Sequence, residues 1–340
     1  MSLKQIVVTG ANGFIGQHLC RKLVESKKVV TACIRERVDV SVFGDIAGSL
    51  RIRRIPSLGL GENLSVVLRE ADAVIHLAGR AHVMYDTAEN PLSAFRKVNV
   101  CGTENLALIA AQSGVRRFIF VSSIKVNGEA TEGKIFSADD QPNYCGPYGR
   151  SKWEAEERLL QIATGTAMEW VVVRPPLVYG PYVRGNFLQL MKCVFHRIPL
   201  PVGSLHNSRS LVNVYNLSDL LCLLLDHPGA ANNRFLVSDP EDISTPDLVR
   251  RMAASLHRSA RIVRCPEAVL HLAGTLLRQS AAVQRLCSSL VLDREKTSKY
   301  LGWSAPMTLE QGLDRTAEWF LKRGHRENSG CQRSCPLNIE

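Results

Sequence analysis

The sequence predicts an α/β chain, a Rossmann-like doubly wound parallel sheet followed by a smaller C-terminal lobe, and three observations carry that expectation. Short, nearly continuous apolar runs alternate with amphipathic segments through the first half of the 340 residues. A glycine-rich turn from Thr9 to Gly16 separates the first apolar run from the first amphipathic one. Near Pro175 the alternation gives way to the Pro- and Gly-rich stretch RPPLVYGPYVRGN. Strands buried on both faces read as unbroken apolar runs, whereas half-exposed strands alternate, so the first half reads as a parallel sheet covered by helices on both sides.

In chain order, the apolar run Gln5–Thr9 predicts a strand. Ile15, Leu19, Leu23 and Val24 predict a helix over Gly16–Ser26, and Lys28–Ile34 a second strand. Residues 62–70 read as helix and Ala73–Leu77 as a third strand, entering His76-Leu77-Ala78-Gly79. Val98–Ser113 predicts a helix closed by Gly114, Phe118–Ser122 a strand, Tyr148–Ala163 a helix and Glu169–Arg174 a further strand. Beyond Pro175, helices are expected over Phe187–Arg197, after a short strand before Asp219, over Thr245–Leu256 and through the mostly apolar 266–290. A short strand is expected at Arg234–Val237. The expected division is residues 1–174 as a dinucleotide-binding domain and 175–323 as a substrate-binding lobe that returns some elements to the sheet. Residues 324–340, without periodic pattern, read as a flexible tail.

Composition narrows the function classes. Hydrophobic residues make up 45% and charged residues 22%, which suits a globular enzyme rather than a disordered chain. The net charge of +10 is scattered over clusters at Arg51, Arg53 and Arg54, at Arg250 to Arg264, and at Arg323 and Arg326. No continuous basic arm marks a nucleic-acid binder, and an anionic small substrate accounts for the charge equally well. The ten cysteines lie mostly singly in apolar runs, as at Cys33, Cys193, Cys222 and Cys287. Without a CxxC pair, or a histidine at metal spacing from Cys331 and Cys335, they read as free thiols in a reducing cytoplasm, with no metal expected. MSLKQIVVTG is too short an apolar opening for a signal peptide, and runs such as 217–225 fall short of the roughly 20 residues of a membrane span. A helix lying on a membrane surface stays open.

The order Gly10-Ala11-Asn12-Gly13-Phe14-Ile15-Gly16 sits at a strand–helix junction. There the first glycine permits a tight turn, the second a close approach of pyrophosphate to the backbone, and the third close helix–strand packing. The free N–H groups of the following helix, through Phe14 and Ile15, favour an anion. At the end of the second strand an acid selects NAD by accepting from the ribose 2′-hydroxyl, and a base selects NADP. Arg35, the first polar residue after that strand, is the expected 2′-phosphate contact with Arg37 behind it. Glu36 keeps NAD open, so the cofactor is read as NADP or NAD with NADP slightly preferred.

Tyr148 and Lys152 stand four apart on a helix and so share a face. A lysine beside a phenol lowers its pKa and binds the cofactor ribose, and the phenol then exchanges a proton with a substrate oxygen during hydride transfer. Ser123, at the end of the preceding strand, supplies a hydroxyl to orient that oxygen, with Ser122 read as a backbone contact. Together with the glycine loop, with His76 to Gly79, with Asn99 to Gly102, and with RPPLVYGP at 174–181, these motifs resemble the extended short-chain dehydrogenase/reductase family. The similarity runs from residue 4 to about 322 and lies with the nucleotide-sugar epimerases, dehydratases and 4-reductases.

The resemblance implies Ser123, Tyr148 and Lys152 as catalytic residues. It implies Asp45 with Ile46 beside the adenine, Leu77, Ala78 and Gly79 against the cofactor, and Asn99 packed behind the site. For the substrate it implies Asn186 on the nucleotide and Arg209 on the diphosphate of a UDP-sugar. Many epimerases carry Val-Tyr-Gly where this chain has Val126-Asn127-Gly128, which makes Lys125 and Asn127 expected sugar-pocket residues. Arg174 is expected to anchor its strand end, and His76 to be structural or near the cofactor. SSIKVNGEAT, YGRSKWEAE and RPPLVYGP with RGNF look like the bacterial 4-reductases of UDP-2-acetamido-2,6-dideoxyhexoses in O-antigen synthesis. The expected reaction is therefore interconversion of UDP-N-acetylquinovosamine and its 4-keto form. The competing readings are an NAD-dependent UDP-sugar 4-epimerase and a non-catalytic NAD(P)-binding regulator. A 4,6-dehydratase is disfavoured because Ser123-Ile124-Lys125 lacks the Thr-Asp-Glu such enzymes place there. Trp153, Leu159 and Leu160 on the Tyr–Lys helix are compatible with a homodimer or with internal packing.

Overall fold

The computed structural model describes residues 3–35, 38–55, 57–58, 64–81, 89–276 and 280–330, with side chains up to 323 except at 281 and 282. The strands are β1 (Gln5–Thr9), β2 (Val29–Ile34), β3 (Leu50–Arg54), β4 (Ala73–His76), β5 (Arg117–Val121), β6 (Glu169–Arg174), β7 (Leu177–Tyr179), β8 (Leu211–Asn213) and β9 (Asn233–Leu236). The helices are α1 (Phe14–Glu25), α2 (Leu64–Leu68), α3 (Pro91–Phe95), α4 (Cys101–Gln112), α5 (Gly146–Thr164), α6 (Gly185–Phe195), α7 (Val214–Asp226), α8 (Thr245–Ser255), α9 (Glu267–Leu276), α10 (Ser280–Cys287), α11 (Glu295–Leu301) and α12 (Leu309–Gly330).

Seven strands form one sheet in the order β3-β2-β1-β4-β5-β6-β9, every neighbouring pair parallel. Successive residues of each strand feed opposite cores. Ile6, Val8, Ala32, Ile75, Ile119 and Val173 join Leu217, Leu220, Leu221 and Leu224 of α7 on one face. Val7, Cys33, Val74, Phe118, Phe120 and Val172 join Leu106 and Ala110 of α4 and Ala155 and Leu159 of α5 on the other. Burial of both faces is why these strands are apolar without alternation.

The chain divides into two compact units. The sheet-bearing unit takes residues 1–178, 208–242 and 288–306, so the chain leaves it and returns twice. The second unit takes 179–207, 243–287 and 307–340. Inside it α8 packs against α6 and α12, and α9 against α10. The side chain of Ser244 accepts from the Asp247 N–H at 3.1 Å and starts α8, with Pro246 in its first turn.

Two expectations need correction. β3 was not anticipated: LRIRR reads as a basic cluster, yet it pairs with β2 from Val30↔Leu50 to Ile34↔Arg54. As an edge strand it holds only Leu50 and half-buried Ile52 inward and leaves its arginines exposed, which hides the apolar signal and guards the edge. The tail expected from 324 is helical backbone up to Gly330, because α12 extends from its packed start at little further cost per residue. Residues 331–340 lie outside the described residues.

The sheet-bearing unit also contains a wholly buried ion pair. Arg174, 1% exposed, donates from Nε and Nη2 to both oxygens of Glu156, 0% exposed, at 3.0 and 2.6 Å, and from Nη1 to Asn127 Oδ1 at 3.0 Å. This ties the end of β6 to the middle of α5, as expected of Arg174. Glu156→Gln leaves a buried guanidinium without its counter-charge. It is expected to lower unfolding stability by about 3–5 kcal/mol, read by urea denaturation.

Candidate active site

Strand order reverses between β1 and β4, and the loops leaving those two strands face each other there. Gly10, at φ +67°, follows β1, and a Cβ on it would stand 2.8 Å from the Ala78 nitrogen and 3.0 Å from the Leu77 carbonyl carbon. No other residue type fits that backbone and that approach. A Cβ on Gly16 would overlap the Gly10 and Ala11 carbonyl oxygens, and one on Gly13 would stand 3.1 Å from the Gly10 oxygen. Gly13 is the N-cap of α1 and makes no side-chain cap, and the first turn holds no acid. The N–H groups around Phe14 and Ile15 therefore head a helix whose positive end is uncompensated. This glycine-lined turn fits a dinucleotide pyrophosphate, with Leu77, Ala78 and Gly79 along its other side.

Beneath the turn a hydrogen-bonded chain fixes His76, which is fully buried. Thr103 Oγ1 donates to the Asn99 carbonyl at 2.6 Å, so His76 Nε2–H donates to Thr103 Oγ1 at 2.9 Å. His76 Nδ1 then accepts from Thr9 Oγ1 at 2.6 Å, and Thr9 Oγ1 accepts from the Ala78 N–H at 3.4 Å. Burial, with Lys152 adding to it, lowers the imidazole to about 3. It is a neutral structural group, stacked on Phe120 at 5.4 Å, and not a base.

Asn99 lies in a short π-helical turn at Arg96–Val100, and such turns gather at functional sites. Its Oδ1 accepts from the Arg80 N–H at 2.7 Å, while its Nδ2 donates to the Arg80 carbonyl at 3.1 Å and to Ser151 Oγ at 3.0 Å. Ser151 in turn donates to the Tyr148 carbonyl at 2.8 Å. Asn99 thus joins the loop after β4 to the first turns of α5. It positions both and reaches neither reacting atom.

Ser123 follows β5 and caps a short 3-10 turn, its hydroxyl accepting from the Lys125 N–H at 3.3 Å. The same hydroxyl favours ionisation of the Tyr148 phenol, which is half-buried and meets the edge of Phe95 at 5.8 Å between ring centroids. Lys152, one turn further along α5 and 5% exposed, donates from Nζ to the Val121 carbonyl at 2.8 Å and sits 4.0 Å above the Phe120 ring. The three residues expected to be catalytic are therefore brought together at the carboxyl end of β5. The electrostatics differ from expectation. Burial pushes Tyr148 up to about 12, with the Ser123 hydrogen bond alone opposing, and pushes Lys152 down to about 7 against a partial restoration by Glu156. Lys152 is not among the groups that shift the phenol.

The remaining expected residues separate. Asn127 is 2% exposed and spends its amide on Arg174 and on the Ser137 carbonyl at 2.8 Å, so it belongs to the core and does not line a sugar pocket. Lys125 pairs with Glu129 at 2.7 Å. Asp45 is exposed and held by both Arg21 nitrogens at 2.5 and 3.0 Å, which lowers its carboxyl, and Ile46 beside it is buried. Arg35 is exposed at the end of β2 and joins none of the ion pairs among the described residues, whereas Glu36 and Arg37 lie outside them. Arg209 is half-buried before β8 and donates to the Ser288 carbonyl at 2.8 Å, and Asn186 is exposed in the first turn of α6 in the second unit. Sequence reading missed Glu156, although its spacing from Tyr148 and Lys152, one turn after another, could have flagged it. It also missed Phe95 and Ser151. Among the described residues one trio of metal-ligand types occurs, Glu267, His271 and Cys287, around an ordinary i,i+4 helix pair at 3.4 Å.

A family model described as the NAD dependent epimerase/dehydratase family matches residues 6–238. The chain belongs to the NAD-dependent epimerase/dehydratase family. It is 42% identical over 331 residues to a UDP-glucose 4-epimerase of Vibrio cholerae, covering 95% of this chain and 97% of the relative. It is 25% identical to an N-acetyl-alpha-D-glucosaminyl-diphospho-ditrans,octacis-undecaprenol 4-epimerase of Escherichia coli O157:H7, again over 95% and 97%. The UDP-glucuronic acid 4-epimerase of Bacillus cereus in complex with NAD superposes with a TM-score of 0.75 at 22% identity, over 94% of this chain and 99% of that one. That likeness establishes the shared fold. MoeE5 in complex with UDP-glucuronic acid and NAD gives the same TM-score at 25% identity, with the same coverage.

In this family enzyme the amine of Lys152 is costly to bury. Folding disfavours its ammonium form, so the cost is full below the folded pKa of about 7 and fades as pH rises toward the ordinary value of 10.5. Lys152→Met, purified without added cofactor, should therefore melt a few degrees above the parent at pH 6–7. Differential scanning calorimetry should show that gain shrinking as pH approaches 10; a gain that grows with pH would contradict the assignment.

Proposed function

We propose that the enzyme catalyses hydride transfer at C4 of a UDP-linked sugar, with Tyr148 as proton donor and acceptor. The gathering of Ser123, Tyr148 and Lys152 at the carboxyl end of β5 carries this reading, because two hydroxyls and an amine there suit proton exchange with a sugar oxygen. In this reading 1–174 is mainly the dinucleotide domain and 175–323 mainly the substrate lobe. Gly10, Gly13, Phe14, Ile15 and Gly16 would hold the pyrophosphate, Arg35 and Ile46 the adenosine half, and Lys152 the nicotinamide ribose. The nicotinamide, when bound, supplies or accepts the hydride. Ser123 orients the sugar oxygen, Tyr148 exchanges its proton with that oxygen, and the hydrophobic wall of Phe95 keeps water from the phenol. Asn186 and Arg209 are assigned to the nucleotide and its diphosphate, where a guanidinium fork matches phosphate oxygens.

Two endings of the reaction have separate support. The 42% identical 4-epimerase favours return of the hydride to the opposite face of C4. A net 4-reductase of a UDP-2-acetamido-2,6-dideoxyhexos-4-ulose, with NADPH, is favoured by two observations in the chain itself. Arg35 is exposed where a 2′-phosphate would lie. Tyr148, held up to about 12, keeps its proton at neutral pH and is suited to give it to a ketone.

NMR of the purified enzyme distinguishes them. UDP-4-keto-6-deoxy-N-acetylglucosamine with excess NADPH should give one 4-hydroxy product with stoichiometric NADPH loss. Interconversion of UDP-glucose and UDP-galactose without net loss of NAD would make it an epimerase, and neither reaction would remove the C4 assignment. In whichever assay is productive, Tyr148→Phe should lower kcat roughly 10²–10⁴-fold with the fold retained. For cofactor choice, Arg35→Ala should raise KM for NADPH and leave KM for NADH nearly unchanged; equal effects on both would exclude a 2′-phosphate contact.

A further inference from the structure

In the second unit, α9 packs on α10 through a narrow face. Leu270 is 7% exposed, and a Cβ on Gly274 would stand 2.7 Å from the side chain of Val283, so Leu270 and Gly274 mark the contact. Among the described residues the opposite face is apolar and uncovered. Val269, Leu272 and Leu276 follow one another at i, i+3 and i+7, a single stripe, at 51%, 62% and 76% exposure. Leu276 and Leu272 are the two most exposed large apolar side chains among the described residues.

The segment leading into this helix is basic. Leu256 to Cys265 holds Arg258, Arg261 and Arg264 and no carboxylate. Arg264 and Arg250, with Gly203, Ala260 and Ile262, line an open cavity of about 440 Å³. Arg250 is held on one side by Asp247 at 2.5 Å, and Arg258 lies 4.7 Å from the Phe195 ring centre, so both guanidinium groups are positioned by neighbours. Two residues lie between Arg264 and the start of α9 at Glu267.

We propose that this hairpin docks the enzyme on an anionic lipid surface, the α9 stripe entering the interface and Arg250 and Arg264 receiving a lipid phosphate. A helix of this kind lies in the plane of the headgroups with its apolar face a few ångströms deep, and flanking arginines add attraction to anionic lipid. No helix among the described residues is long and apolar enough to cross a membrane, so the contact is peripheral. A second copy of the chain is the competing occupant. A parallel two-fold pairing of this face would bring the arginine-rich segment of one copy toward that of the other, and like charges oppose it. An anionic surface has the complementary charge.

The test is flotation of the intact enzyme with vesicles of phosphatidylcholine, with and without phosphatidylglycerol. Binding is expected with phosphatidylglycerol only, weakening with added salt. Two double variants, Leu272→Gln with Leu276→Gln and Arg250→Ser with Arg264→Ser, should each reduce the bound fraction about tenfold while turnover of a soluble substrate is unchanged. Equal binding to both vesicle types, or variants that float like the parent, would overturn the proposal. So would absent vesicle binding with a dimer, seen by light scattering, that the leucine variant turns into a monomer, since the face would then belong to a second copy.

Discussion

Helix α5 has to deliver a phenol and an amine to the carboxyl edge of a parallel sheet while burying one face along its length, and the Glu156–Arg174 pair makes that possible. Tyr148, Lys152 and Glu156 fall on one helical face, one turn apart. Two of them carry charges that burial penalises. Glu156 is met by both nitrogens of the Arg174 fork, so the helix is pinned to β6 at the point where the sheet ends. Lys152 has no such partner. It rests on a carbonyl and an aromatic face, which is why its amine is driven down to about 7 while Glu156 stays paired. The structure spends a strong ion pair on position and leaves the reactive amine poorly solvated. A buried ion pair seldom contributes net stability over a packed apolar pair, but it fixes geometry well.

The same division between fixing and reacting recurs at the first crossover. Gly10 and Ala78 approach so closely that the loops after β1 and β4 behave as one wall. The Thr9–His76–Thr103–Asn99 chain supports that wall from below, and Asn99 carries the support across to Ser151 on α5. A dinucleotide turn and a Tyr–Lys pair that lie about 130 residues apart in sequence are thereby held by one hydrogen-bonded frame. Removing a middle member would disturb both ends without touching a reacting atom, and for that reason these buried polar residues count as part of the site.

The fold and the grouping of Ser123, Tyr148 and Lys152 were legible because their signals are local. Apolar runs, glycines at a junction and a four-residue spacing each express a constraint imposed within a few residues. What was not legible depends on partners distant in sequence. β3 hides behind exposed arginines because an edge strand shows the core only one face. Asn127 looked available for substrate because its sequence neighbours are polar and catalytic; its burial comes from Arg174 and the Ser137 carbonyl, which no local pattern announces. Asp45 matched a motif position, yet its carboxylate is occupied by Arg21 from α1. The forces on the Tyr148 and Lys152 protons follow the same rule. Residue type gives the sign of their mutual interaction, whereas burial, a property of the whole fold, sets the larger effect.

This ordering of effects also bears on how one family site serves both epimerisation and reduction. In the proposed mechanism Ser123, Tyr148 and Lys152 would perform the same proton exchange in either case, so the trio cannot by itself select the outcome. An epimerase must take the proton from an alcohol as readily as it returns it, which favours a phenol brought down toward neutrality. A reductase needs the proton in place when the ketone arrives. Burial raises Tyr148 to about 12 with only the Ser123 hydroxyl opposing it, which favours the protonated phenol. Any charge that a bound nicotinamide contributes must work against that burial, and for this reason the balance between the two reactions is set as much by desolvation at α5 as by the cofactor.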